Sequence, residues 1–258
     1  MSVKKSKIKL RQFKNSGPKQ VEIITRITSL QNAIEFIDNN TLHFSPLSCY
    51  KDYTEGKSFE QALIQESESK SDKKLIPNIV RREILYVSCW SEGEESLHMW
   101  DIYGKNNYAV AIQIHLNDFI NKVTNKGCFW FESKSFGDLI RDYKSHFKPS
   151  SFHYGLINYC DLLIQENNVK QFIGQFKELA FAHENEFRFL IRQNYFNHPP
   201  VGLRDLKCKF TNNSFKNIAI KLIVNPYAKK DYFEFIKTRF KNQKQVEIIP
   251  SKFTKLFI

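Results

Sequence analysis

The sequence predicts an α+β fold, a single domain built on a central mixed sheet with flanking helices and a carboxy-terminal strand-helix-strand unit. Three observations predict it. Strand-like and helix-like stretches interleave with no strict strand-helix-strand rhythm. The 258 residues are 41% hydrophobic and include 23 Phe and 11 Tyr, enough bulky material for one large core and far more than a disordered chain carries. No Pro-, Gly- or Ser-rich stretch reads as an interdomain linker. Residues 1–20 form a basic leader expected to be disordered, and residues 21–258 the domain.

Val21 to Ile27 reads as a strand, and Thr28-Ser29-Leu30-Gln31 as a capping box opening a helix. Leu30, Ala33, Ile34 and Ile37 then fall on one helical face, and Asp38-Asn39-Asn40 closes the helix before a strand at Thr41 to Ser45. Cys49 to Gly56 is turn-like, Ser58 to about Lys70 is helical, and the Ser/Glu/Lys-rich residues 66–74 are expected to be an exposed loop. Ile84 to Ser91 is a buried strand, followed by the acidic loop Glu92 to Glu95 and a short helix, Ser96 to Tyr103, which Gly104 would end in a left-handed cap. Tyr108 to His115 and Phe129 to Glu132 are strands, Leu156 to about Ala182 is one or two helices, and Glu186 to Arg192 alternates as a strand. The tail closes with strand Ile218 to Val224, helix Lys229 to about Lys241 and strand Val246 to Ile249.

The formal charge of +12 is unevenly placed. Residues 1–20 hold seven Lys and Arg and no acid, and residues 207–258 hold twelve against Asp231, Glu234 and Glu247, so the stretch between is slightly acidic. Basic ends suit a polyanion, which makes nucleic acid an expected partner through the termini. The five cysteines lie far apart without a C-x-x-C pair, which argues against a disulfide framework or a zinc ribbon and for the cytoplasm. No apolar stretch suggests a signal peptide or a membrane span. Glycine-rich phosphate cradles and the H-E-x-x-H metalloprotease signature are missing too, and no metal is expected from the dispersed histidines.

Four blocks place polar side chains at strand ends beside aromatics: Arg26; Leu42-His43-Phe44-Ser45-Pro46 with Asp52 and Glu55-Gly56; Cys89-Trp90-Ser91 with Met99-Trp100 and Tyr103; and Lys177 with Glu184, Glu186 and Arg188. Together they resemble the bacterial domain-of-unknown-function family 2971, and the closing strand-helix-strand extends the likeness over nearly the whole chain. The chain departs from that pattern at Asp101-Ile102, where the family usually shows a Ser-His pair, and at Phe181 and His183, which replace Trp and Tyr. The family name implies no activity.

In order, Arg26, Ser88-Cys89-Trp90-Ser91 and Glu184-Asn185-Glu186 also resemble the arginine, serine-x-serine and glutamate-x-glutamate motifs of ADP-ribosyltransferases, with one extra residue between the serines. That resemblance implies NAD as cofactor. Glu186 would stabilise the oxocarbenium-like transition state as the nicotinamide–ribose bond breaks, Glu184 would act as general base toward the acceptor, and Ser91 would orient Glu186. Arg26 would hold the pyrophosphate, with Ser88, Arg188 and a ring-stacking Trp100 or Tyr103 completing the cofactor site. The acceptor would be a nucleic acid or a nucleic-acid-associated target, and toxicity on expression or a part in phage defence would fit such a transferase.

Other readings use the same residues. Asp52, Glu55, Glu184 and Glu186 could converge on Mg²⁺ for phosphodiester hydrolysis, with Lys177 nearby. A non-catalytic sensor or nucleic-acid-binding module would need only the basic ends. Structurally, Arg26 could pair with Asp52 or Glu55, Met99, Trp100 and Tyr103 could be core, and Glu184, Glu186 and Arg188, which period two places on one strand face, could form a Glu-Arg-Glu network.

Overall fold

The computed structural model describes residues 10–13, 21–50, 85–125, 129–134, 149–160, 174–193, 205–210 and 217–254. The expected helix after Ser58 and the loop at 66–74 lie outside these residues.

The strands are β1 (Leu10–Gln12), β2 (Ile23–Ser29), β3 (Thr41–Pro46), β4 (Leu85–Glu92), β5 (Ala109–His115), β6 (Phe129–Lys134), β7 (Pro149–Leu156), β8 (Asn158–Cys160), β9 (Phe176–Glu178), β10 (Glu186–Gln193), β11 (Asp205–Phe210), β12 (Ile220–Val224) and β13 (Val246–Pro250). The helices are α1 (Leu30–Asn39), α2 (Leu97–Tyr103), α3 (Leu116–Asn125) and α4 (Lys230–Phe240). A mixed sheet runs β1-β7-β10-β4-β2-β5-β12-β13, with β3 also paired to β4, and β11 joining β3 to β6. The outer pairs β1/β7 and β12/β13 are parallel, whereas β7, β10, β4, β2, β5 and β12 pair antiparallel in succession. The α+β expectation holds.

Period-two alternation divides the central strands between two cores. Tyr86 and Trp90 of β4 and Phe187, Phe189 and Ile191 of β10 face a large cluster closed by Ala33, Phe36 and Ile37 of α1, Phe119 of α3, and Ile236 and Phe240 of α4. Phe189 sits within it at ring-centroid distances of 5.3 Å from both Phe119 and Phe187. On the opposite face Leu85, Val87 and Leu190 join Leu47, Phe13 and Ile157 in a smaller cluster. A third, around Trp100, Ala109, Ala111 and Ile223, lies under α2.

Several local expectations are corrected. Leu10–Gln12, inside the supposedly disordered leader, pair with β7 in the sheet because Phe13, 3% exposed, is drawn into the smaller core. The cap of α1 is Ser29, whose Oγ accepts from the Asn32 amide at 3.2 Å, while Thr28 instead accepts from the Asn32 side chain. Gly104 does end α2, but at φ −95° and not in a left-handed cap. Its value is space: a Cβ there would lie 2.6 Å from the Trp100 ring. The helices expected over 156–182 give way, in the described residues, to β8, β9 and a 3-10 turn at Leu179–Glu184. Backbone pairing of Asn158–Cys160 with Phe176–Glu178 overrides the weak helical periodicity there.

Replacing Phe189 by Ala should cost about 3–5 kcal/mol, because the large core cannot close over the missing ring. Urea denaturation followed by circular dichroism would measure it, and an unchanged midpoint would contradict this packing.

Candidate functional site

A fork in the sheet creates the site. At its end β4 pairs with β2, Thr25 opposite Ser91 and Ile24 opposite Glu92, but at its start it pairs with β3, Ser45 opposite Val87. Beyond Thr25, β2 leaves β4 and stays only with β5. Arg26 is the first residue past the divergence. Its Nη1 donates to the His43 carbonyl at 3.0 Å and to Ser88 Oγ at 2.6 Å, tying β2 to β3 and β4. Ser88 Oγ also accepts from Trp90 Nε1 at 3.2 Å, which fixes it as an acceptor toward the arginine.

Arg26 engages only Nη1 this way. Among the described residues its Nε and Nη2 have no partner and no carboxylate pairs with it. Burial lowers its pKa, with Tyr50 and Cys89 opposing, yet a guanidinium stays cationic in proteins. The structural alternative of a salt bridge to Asp52 or Glu55 falls on residues outside those described.

Across the cleft lies an ordered charge network. Arg188, fully buried, grips Glu186 with Nε to Oε1 at 2.6 Å and Nη2 to Oε2 at 2.8 Å, and its Nη1 donates to the Gly174 carbonyl at 3.1 Å. Lys177 of β9 places Nζ 2.5 Å from Glu184 Oε2 and 3.4 Å from Glu186 Oε2. Glu184 is not on the strand, as period two implied. It ends the 3-10 turn, and Asn185, at φ 47°, turns the chain into β10. Lys177 brings the two carboxylates together instead. Burial pushes the Glu186 carboxyl up, but Arg188 and then Lys177 outweigh it and hold the group below the usual carboxylate range. Burial likewise lowers the Lys177 ammonium, and Glu186 and Glu184 reverse the sign to leave it raised. Both carboxylates are thus committed to cations, and among the described residues no cluster of three or more His, Cys, Asp or Glu could hold a metal ion.

The β4–β10 register sets Ser91 opposite Glu186 and Cys89 opposite Arg188, so all four share one sheet face. Cys89 Sγ lies 3.4 Å from the Tyr50 hydroxyl, and burial, reinforced by Glu186, pushes this thiol well up. It is a poor nucleophile in that state. Tyr159 accepts the Glu186 amide at 2.7 Å and so fixes the start of β10. Met99 and Tyr103 of α2 close the mouth of the cleft. The cavity encloses about 130 Å³, space for about four water molecules at roughly 30 Å³ each.

Of the residues singled out from sequence, Arg26, Ser91, Tyr103, Lys177, Glu184 and Glu186 line this one cleft. Three expected cofactor contacts do not. Trp100 is fully enclosed and donates Nε1 to Glu95 Oε2 at 2.6 Å, so it is core and not a stacking surface. Ser88 is fully buried behind Arg26, and Arg188 beneath Glu186. Each acts through the residue it holds. Asp52 and Glu55 lie outside the described residues. Sequence reasoning missed Thr25, Ile27 and Tyr50 as lining, because only the fork brings them there, and it gave Cys89 no chemical role and Met99 only a place in the core. It also read Glu95 only as part of an acidic loop. Glu95 is 7% exposed and accepts from Ser251 Oγ and the Lys252 amide, both at 2.7 Å, anchoring the carboxy-terminal segment to α2.

With this geometry in place, comparison with known families gives a definite result. Residues 99–189 match the model of the DUF2971 family, described as a protein of unknown function. No curated protein and no solved structure matches the chain. The DUF2971 segment contains Met99, Tyr103, Lys177, Glu184, Glu186 and Arg188, whereas Arg26 and Ser91 come from before it. No helix among the described residues is long and apolar enough to cross a membrane.

Two stability measurements check the network. Arg188→Met should cost about 3–5 kcal/mol by leaving buried Glu186 with only Lys177, at 3.4 Å, as a cationic partner among the described residues, and Glu186→Gln in the same chain should restore part of it. Because the folded-state pKa of Glu186 is depressed, its contribution is complete above the unfolded carboxylate pKa near 4.5 and is lost as pH falls through the lower folded value. Acid unfolding of Glu186→Gln should therefore be flatter below about pH 4.5 than that of the unaltered protein; parallel curves would contradict the pairing.

Proposed function

We propose that this chain binds NAD in the forked cleft and breaks its nicotinamide–ribose bond, as an ADP-ribosyltransferase-like enzyme or NAD glycohydrolase. One observation carries the reading: a guanidinium with available donors and an ionised, clamped glutamate line the same small cavity, with an aromatic ring at its mouth. The available donors of Arg26 suit phosphate oxygens. Tyr103, 47% exposed, offers a face to the nicotinamide ring.

The chemistry is governed by charge. As the glycosidic bond lengthens, the ribose gains positive charge, and a carboxylate fixed beforehand beside it stabilises that charge without reorganising. Glu186 is fixed by Arg188 from behind and Lys177 from the side, and these cations also hold it ionised. Ser91, directly opposite on β4, would bound the ribose. Glu184, on the far side of Lys177, would accept the proton of the attacking hydroxyl or water. A nucleic acid or nucleic-acid-associated acceptor accords with the basic carboxy-terminal region.

Nicotinamide release from NAD, followed by chromatography, tests the reading. Glu186→Gln should lower turnover by about a hundredfold or more. Since Glu186 also pairs with Arg188, thermal unfolding of the variant must accompany the assay. Arg26→Lys, which keeps charge but loses the fork of donors, should weaken the NAD-induced thermal shift while the fold persists. No nicotinamide release and no NAD-induced shift with the unaltered protein would overturn the proposal.

A further inference from the structure

A second surface lies outside the cleft, where the loop after α2 meets α4. Tyr108 is 64% exposed and Phe235 53%. Between them Tyr232 packs edge-on to Tyr108 at a centroid distance of 5.1 Å and near-parallel to Phe235 at 6.4 Å, so the three rings form one continuous row. The row is built and held in place. Tyr232 donates its hydroxyl to the Tyr108 carbonyl at 2.5 Å, and Asn225, buried at the end of β12, donates to the Gly104 carbonyl at 2.8 Å and the Asn106 carbonyl at 3.2 Å. Those contacts tie the loop carrying Tyr108 to α4 and to the end of β12. Tyr227 donates its hydroxyl to Asp101 of α2 at 2.7 Å, two residues before Tyr103.

The charge around the row is mixed, Asp101, Asp231 and Glu234 standing among its lysines, with a small basic excess. Lys237 is partnered by Glu234 and Arg239 by Asp38, but Lys105, Lys229 and Lys230 make no ion pair among the described residues. All three are exposed, and Asp231 is the one acid beside the last two. Beyond these contacts, the row leaves aromatic area in water, as interaction surfaces do. Ring faces spaced along a surface and flanked by unpaired ammonium groups match a strand of unpaired bases on a phosphate backbone, where stacking supplies sequence-tolerant affinity and lysines track the phosphates.

We infer that the Tyr108–Tyr232–Phe235 row, with Lys105, Lys229 and Lys230, is a docking platform for single-stranded nucleic acid. The strand would lie across α4 and the Tyr108 loop, its far end directed along Tyr227 toward Tyr103 at the cleft mouth. The platform stands independently of the NAD reading, since none of its residues lines the cavity.

Fluorescence anisotropy with labelled oligo-dT and oligo-U of about fifteen nucleotides tests it on the full chain, because such platforms cover roughly 4–16 nucleotides. The unaltered protein should bind in a salt-dependent manner, and the ratio of the two affinities says whether DNA or RNA is preferred. Tyr108→Ala with Phe235→Ala should weaken binding about tenfold or more, as the loss of a stacked base requires. Lys229→Ala with Lys230→Ala should reduce the slope of log affinity against log salt by about one and a half. Both pairs replace exposed side chains, and unchanged thermal unfolding would show that the fold is intact. Three outcomes overturn the inference: no binding at low salt, binding that the aromatic substitutions leave unchanged, or a concentration-dependent dimer that those substitutions dissolve.

Discussion

The buried pair of Glu186 and Arg188 is the constraint on which this site depends. An arginine and a glutamate two residues apart on a central strand must share a face, and that face lies beside the smaller core, with Arg188 sealed from solvent and Glu186 5% exposed. Burying such charges is costly unless both are fully partnered. The protein meets that condition with two Arg188–Glu186 hydrogen bonds, a Gly174 carbonyl for the remaining guanidinium nitrogen, and Lys177 against the outer carboxylate oxygen. Glu186 is thereby ionised, immobile and open to the cavity on one side.

The fork between β2 and β4 supplies the opposite wall. Where two strands part inside a sheet, backbone groups lose their ladder partners and side chains must take over. Arg26 does so by bonding to His43 and Ser88, and its position at the divergence places a cation in the floor of the cleft. One guanidinium nitrogen thus has a structural task, while among the described residues Nε and Nη2 have no protein partner. The separation of charge across the cavity, guanidinium at one end and clamped carboxylate at the other, is what an elongated ligand with a phosphate and a cationic leaving group would find complementary. The committed carboxylates, in turn, make this a poor cage for a hard divalent cation, which needs oxygens not already paired with lysine and arginine.

The basic surplus divides by region in the same way. Lys177 and Arg188 at the cleft are neutralised by Glu184 and Glu186, whereas some lysines around α4 make no ion pair among the described residues. Charge that is neutralised serves local geometry. Charge left in excess is free to attract a polyanion at long range, subject to screening by salt.

By itself the sequence determined the α+β class, most strand and helix positions, and the residue types of the site. Alternation in β4, β5 and β10 and the apolar face of α1 are properties of short segments, and so is the closing β12-α4-β13 unit. It could not determine which candidates meet. Trp100 and Tyr103 lie in one helix and read alike, yet one is sealed beneath Glu95 and the other stands at the cleft mouth, because a helical turn points them to different neighbours. The 3-10 turn before Glu186, the strands β8 and β9 in place of helices, and the entry of Leu10–Gln12 into the sheet depend on partners far along the chain. The fork itself is a matter of pairing, since β4 gives one end to β2 and the other to β3. Local pattern fixes which way a side chain faces on its own strand; only the pairing of distant strands decides what it faces.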